Sequence, residues 1–200
     1  MNESKVQKAI DALLQFAEHV GATRVKCMSP AVVRVEEKLA DFCREPKCPQ
    51  FGLAMSCPPY VSGPAGFRKL LETSQYVLII RLEIESDSLH GVDRPEVMRL
   101  LHEICAAVEI EAKRLGFHNA AGFAGGSCKP SFCADQQHCR VLAGQGKCRY
   151  PDRARPSMSG YGVNVGELMK AAGWPNKLFP AKGDGQEQQL AWVAGLVLLR

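Results

Sequence analysis

The chain has 200 residues, 46% of them hydrophobic, a formal charge of +4 and nine cysteines. That length supports one domain over residues 1–200 with a real core, and the composition excludes a disordered or fibrous chain. The charge is not gathered into a lysine-arginine run or a basic face interleaved with aromatics, which argues against nucleic acid as a partner.

The first stretch, MNESKVQKAIDALLQF, is polar and amphipathic, without the continuous apolar core of a secretory signal. No apolar run reaches membrane-spanning length. The expected setting is a reducing cytoplasm with no membrane partner, where clustered thiols act as metal ligands rather than disulfides. The odd number of cysteines points the same way.

Residues 3–19 carry Val6, Ile10, Leu13, Leu14 and Ala17 at helical spacing, and Gly21 ends the helix. Thr23 to Cys27 reads as a short strand. Ser29 and Pro30 are placed to cap and start a helix through Val32, Val35, Leu39 and Phe42, although Val33 and Val35 also suit a strand. Pro46, Pro49, Gly52, Pro58 and Pro59 break up the next stretch into a loop. A short helix over 65–74, a buried strand Tyr76–Ile84 and a polar connection over 87–93 follow. A long helix is predicted from Pro95 to Leu115, with Val97, Leu100, Leu101, Ile104, Cys105, Val108, Ala112 and Leu115 on its apolar face. His118 to Ala124 fits a third strand that runs into Gly125 and Gly126. Asn164 is the expected N-cap of a helix stopped by Gly173 and Pro175, and after a polar loop LAWVAGLVLL gives a last strand. This alternation predicts an α/β fold: a mixed sheet of about four strands packed with helices, with cysteine-rich loops at one end.

Two cysteine clusters stand apart from this pattern. The early one is Cys43-x4-Cys48-x8-Cys57, followed by Pro58 and Pro59. The late one is Cys128-x4-Cys133-x5-Cys139-x8-Cys148, in a segment with almost no apolar periodicity. Soft thiolates suit iron and zinc, and short irregular loops can wrap a compact cofactor. The spacing is wider than the usual ferredoxin run and contains no C-x2-C pair of the zinc-ribbon kind. Histidine is scarce near the motifs, with only His138 beside Cys139, which favours an iron-sulfur cluster of the 4Fe-4S type over zinc and leaves zinc as the alternative. A cubane core with four thiolates adds about −2, so two clusters would bring the chain near neutrality.

The late motif, GGSC-x4-C-x5-C-x8-CRYP-x3-RPSM, together with the early C-x4-C-x8-CPP, the GYGVNV turn and the GLVLL strand, resembles an uncharacterised bacterial and archaeal family of predicted metal-binding proteins, a domain of unknown function. The likeness runs over nearly the whole chain. It implies a cysteine-rich protein of anaerobic or redox metabolism and brings no reaction with it. Where it leads one to expect an acidic and a small residue after RPSM, this chain has Ser159 and Gly160.

Seven motif cysteines, Cys43, Cys48, Cys57, Cys128, Cys133, Cys139 and Cys148, are thus the candidate cofactor and metal ligands, one fewer than two cubanes need. Cys27 is a possible eighth at a strand end, whereas Cys105 falls on the apolar face of the long helix, where a thiol simply packs. Arg44, Lys47, Arg140, Lys147, Arg149, Arg153 and Arg155 surround the sulfurs; they either offset thiolate charge and meet an acidic partner or form a solvated basic loop. His102 and His118 read as surface or internally satisfied residues. There is no phosphate loop, dinucleotide fingerprint or nucleophile elbow. Three functions remain open: an electron carrier or redox accessory that docks a partner protein, an enzyme or cofactor-handling protein with an open iron at the three-cysteine site, and a structural zinc module.

Overall fold

The computed structural model describes residues 2–176 and 190–200. The opening helix, α1 (Glu3–His19), is capped by Asn2, whose side chain accepts from the Lys5 amide at 3.0 Å. β1 (Arg24–Met28) follows as the alternation required. The helix expected from Pro30 to Phe42 is instead broken into pieces: a 3-10 turn Pro30–Val32, an extended stretch, α2 (Glu37–Ala40) and a second 3-10 turn Asp41–Cys43. The extended stretch forms because Val35 bridges to Val163 and the Glu36 amide donates to the Gly162 carbonyl at 2.8 Å. Gly162 has a φ of 72°, and a Cβ there would sit 2.4 Å from the Glu36 carbonyl oxygen, so this crossing requires glycine.

α3 (Gly63–Glu72) leads into β2 (Tyr76–Glu85). The polar connection expected next holds a short helix, α4 (Ser86–His90), with Leu89 turned inward. α5 (Arg94–Arg114) is the long helix, although its inward face includes Met98, His102 and Glu109, while Leu100 is exposed. β3 (Ala121–Ala124), α6 (Cys128–Phe132), α7 (Val165–Ala172) and β4 (Leu190–Leu199) complete the order. Asn164 caps α7 as expected, accepting from the Glu167 amide at 3.0 Å. The polar loop before β4 lies outside the described residues.

The four strands form one open sheet in the order β1-β2-β4-β3, packed with helices as the α/β reading required. Its ladders are antiparallel throughout the named strands rather than mixed. The reason lies in the chain order. β2 and β3 run parallel, joined by the α5 crossover, but β4 slips between them and pairs antiparallel with both. Among the described residues the single parallel contact is an isolated bridge from Ala124 to Ser157.

Alternation along the central strands divides the core in two. Leu78, Ile80, Val197 and Leu199 meet α1 and α5 through Leu13, Leu101, Ile104 and Val108. Val77, Ile79, Leu196 and Leu198 meet α3, α7 and Tyr161 on the other face. Each fully buried aliphatic side chain contributes about 1.5–3 kcal/mol. On the second face Phe67, Phe123 and Tyr161 pack ring to ring at 5.0–5.2 Å. On the first face Cys105 is fully buried, and a Cβ at Gly195 would lie 2.2 Å from its sulfur, so glycine on β4 makes room for the thiol. Among the described residues no helix is long and apolar enough to cross a membrane.

Candidate metal centre

Both cysteine loops are tied to the end of β3. The Ala124 amide donates to the Pro156 carbonyl at 3.1 Å, and the Ser157 amide donates to the Ser56 carbonyl at 2.9 Å. These two bonds run from the sheet through the RPSM segment to the early loop. Cys128 begins α6 four residues beyond β3, capped by Ser127, whose hydroxyl accepts from the Lys129 amide at 3.2 Å.

The early loop is built from its own turns. The Gly52 amide donates to the Pro58 carbonyl at 2.9 Å and the Cys57 amide to Ala54 at 3.0 Å. Cys43, Cys48 and Cys57 come together: burial, and then repulsion by Cys48 and Cys57, push the Cys43 thiol up to about 11. Burial also raises Cys57, opposed by the Ser127 and Ser56 hydroxyls.

The late loop gathers its four sulfurs in the same way. Burial pushes Cys128 up to about 11; the Ser56 hydroxyl opposes this, while Cys57, Cys148 and Cys133 add to it as neighbouring charges. Cys133 is raised by burial, eased by Arg149, raised further by Cys148, eased by Lys129 and raised by Cys139. At Cys139 burial is outweighed by backbone amides of Leu142, Met55 and Val141 and by the Arg149 charge, and its thiol falls below the usual value. The Tyr150 amide donates to the Cys148 sulfur at 3.4 Å. The Lys129 ammonium draws the loop closed by donating to the carbonyls of Cys133, at 2.5 Å, and Gln136. Phe132 stacks on Tyr150 at 5.3 Å and stands edge-on to His102 at 5.8 Å, anchoring the loop to α5.

The two sets meet around Ser56, and the Ser127 hydroxyl on Cys57 and the Met55 amide on Cys139 cross between the loops as well. The Ser56 hydroxyl donates to the Cys128 sulfur at 3.1 Å and lies 3.6 Å from the Cys57 sulfur, and the Cys128 amide donates back to it at 3.4 Å. Cys27 joins neither set: it packs half-buried against the α1 and α5 face of the core, and burial pushes its thiol up to about 11. Cys105 lies in that same core.

The basic residues divide by role. Arg155 is buried, with Nε 2.6 Å from Glu109 Oε2, and its amide donates to His102 Nδ1 at 3.0 Å. Arg153 pairs with Glu103 at 3.3 Å, and Arg44 with Asp41 at 3.1 Å. Lys47 lies over the Phe42 ring at 5.4 Å. Arg149 is the one that faces the Cys133 and Cys139 sulfurs. His102 is fully buried rather than a surface residue, held through its Nδ1.

Beside the early thiols lies a cavity of about 400 Å³, lined by Cys43, Cys48, Cys57, Gln50, Arg94 and Ser159 among others. Ser56, Gln50, Arg94 and Ser127 went unnoticed in the sequence. Ser56 and Ser127 had a visible signal, since each precedes a motif cysteine in a Ser-Cys pair. Arg94 had none, because only the fold brings the start of α5 to the loop.

Among the described residues no three His, Cys, Asp or Glu side chains converge on a point where one ion could be held. The donor set nevertheless fits a larger cationic cofactor. Seven soft donors stand in two sets whose ionised forms repel within each set, and several already receive N–H or O–H bonds, the arrangement that holds and tunes thiolate-bound clusters. Fold and donors together define a cysteine-rich α/β protein with two adjoining thiol loops. The chain belongs to the family of predicted metal-binding proteins (DUF2284), whose model matches residues 26–199 and so takes in both loops. No curated protein and no solved structure matches it significantly.

Proposed function

We propose that the protein is a cytoplasmic iron-sulfur protein acting in electron transfer or as a redox accessory protein. Cys128, Cys133, Cys139 and Cys148 would hold one 4Fe-4S cluster, and Cys43, Cys48 and Cys57 a second with one iron free of cysteine. Such clusters take up and release single electrons, and an iron left open is a Lewis acid. The observation that carries this reading is the Ser56 junction, which sets Cys57 of one group and Cys128 of the other against the same hydroxyl. A single zinc ion holds each sulfur at about 2.3 Å and draws its ligands together around one point. The number of motif cysteines and the scarcity of histidine beside them, with only His138 next to Cys139, favour a multi-atom cluster instead.

The surface around the loops suits a redox partner protein with an acidic docking face. Phe42, Leu53, Met55 and Tyr60 are exposed there, interspersed with Arg44, Lys47, Arg140, Lys147 and Arg149. Central apolar contacts inside a charged rim give affinity and steering respectively. A second reading, an enzyme or cofactor-handling protein working at the open iron, is favoured by the cavity against the early thiols.

Anaerobic purification with iron and sulfide analysis tests the assignment. Two four-iron clusters give about eight irons and eight sulfides per chain. Electron paramagnetic resonance of the fully reduced protein should then show the two centres broadening each other's signals. Zinc without sulfide would overturn the reading in favour of a structural zinc module.

A further inference from the structure

The cavity beside the early thiols has a chemical character of its own. Its volume, about 400 Å³, lies within the range of small-molecule sites. Phe51, Met98, Pro95 and Pro130 supply apolar wall. Among the described residues no aspartate or glutamate lines it, and the single formal charge they bring to it, apart from any thiolate, is Arg94. The Arg94 guanidinium donates to the Leu89 carbonyl at 3.3 Å, and among the described residues no carboxylate pairs with it. Hydroxyls of Ser157 and Ser159 lie on the same wall set. Gln50 Oε1 is buried there without a hydrogen-bond partner. An acceptor left unmet is costly, and a ligand that brings a donor removes the cost.

From these features we propose that the cavity binds a small organic carboxylate with an apolar body and one hydroxyl or amino donor. The carboxylate meets Arg94, the body lies against Phe51 and Met98, and the donor satisfies Gln50. The remaining surface of the ligand faces Cys43, Cys48 and Cys57. That last contact rests on the second reading above, since it places the ligand at the iron those thiols leave open. Guanidinium recognises carboxylate through paired, charge-assisted hydrogen bonds, which is why the anionic form is selected. Ser159 matters for what it is not. A carboxylate at that position would put a negative charge on the cavity wall and repel the same ligand.

Isothermal titration of the reconstituted protein, its iron content measured in the same sample, decides the matter with mandelate, phenylacetate and neutral mandelamide as probes. Mandelate should bind at or below millimolar concentration, phenylacetate several-fold more weakly for want of the hydroxyl, and mandelamide about tenfold or more weakly for want of charge. Arg94→Gln, an exposed position that leaves the core intact, should lower mandelate affinity about tenfold and bring it level with mandelamide. Ser159→Glu should do the same with the arginine in place. Mandelate should also shift the resonance of one cluster and leave the other unchanged. Absence of millimolar binding by either carboxylate, or equal affinity for mandelate and mandelamide, overturns the proposal. Full iron and sulfide with no binding removes the cavity site alone. Binding without iron removes the cluster reading and keeps the carboxylate site.

Discussion

The two cysteine loops are made of the same donors and differ in what surrounds them. The late loop gathers four half-buried cysteines, closes itself with Lys129 and leans on α5 through Phe132 and Tyr150. The early loop is a proline-punctuated series of turns whose three sulfurs border a cavity. Four thiols can satisfy a cofactor by themselves, whereas three leave it something to do. On the proposed reading, the same fold end would offer one centre suited to storing an electron and one suited to meeting another molecule.

The largest expected effect separates the loops directly. Cys139→Ser should remove one cluster equivalent of iron and expose amides of residues 128–150 to hydrogen exchange, because binding and ordering are coupled in a segment with so little core. Cys48→Ser should remove the other equivalent and leave those amides protected. If either variant lost both clusters, the loops would be one centre rather than two.

A smaller effect is set by pH at the late loop's anchor. Burial, with a lesser push from the Arg155 charge, lowers His102 from 6.5 to about 4. The folded state keeps this base neutral while the unfolded chain protonates it below 6.5. Its contribution is thus complete above pH 6.5 and is lost as pH falls toward 4, by about 3 kcal/mol in all. Urea unfolding across that window should show the loss, and His102→Gln should flatten it while keeping an acceptor near the Arg155 amide.

The smallest effect probes the seam. Ser56→Ala removes the hydroxyl between Cys57 and Cys128 and should cost about 1 kcal/mol. Cluster potentials should shift in both centres, since hydrogen bonds to sulfur help set them. A shift confined to one centre in potentiometric titration would mean the seam belongs to one loop.

Much of the framework was legible because it rests on periodicity. α1, β2, α5 and the Asn164 cap follow from side-chain spacing and local chemistry. The stretch from Pro30 to Phe42 misleads because helical spacing there competes with a long-range bridge to Val163, which no local pattern announces. The antiparallel sheet was hidden for a related reason: only tertiary packing puts β4 between β2 and β3. At the site the thiols could be read from spacing. Arg94 and the cavity could not, because they join residues from distant parts of the chain.

The position of β4 also bears on the order of events during synthesis. β3, from whose end the late thiols are launched, pairs within the sheet with β4 alone, and β4 spans Leu190–Leu199. A ribosome has made all seven motif cysteines before it makes that strand. Until then β3 lacks the strand beside it and has only the Pro156 and Ser157 contacts at Ala124. On the proposed reading, cofactor insertion would be best timed after residues 190–199 have emerged, and the window between thiol synthesis and strand insertion would be the period when these cysteines most need protection from oxidation.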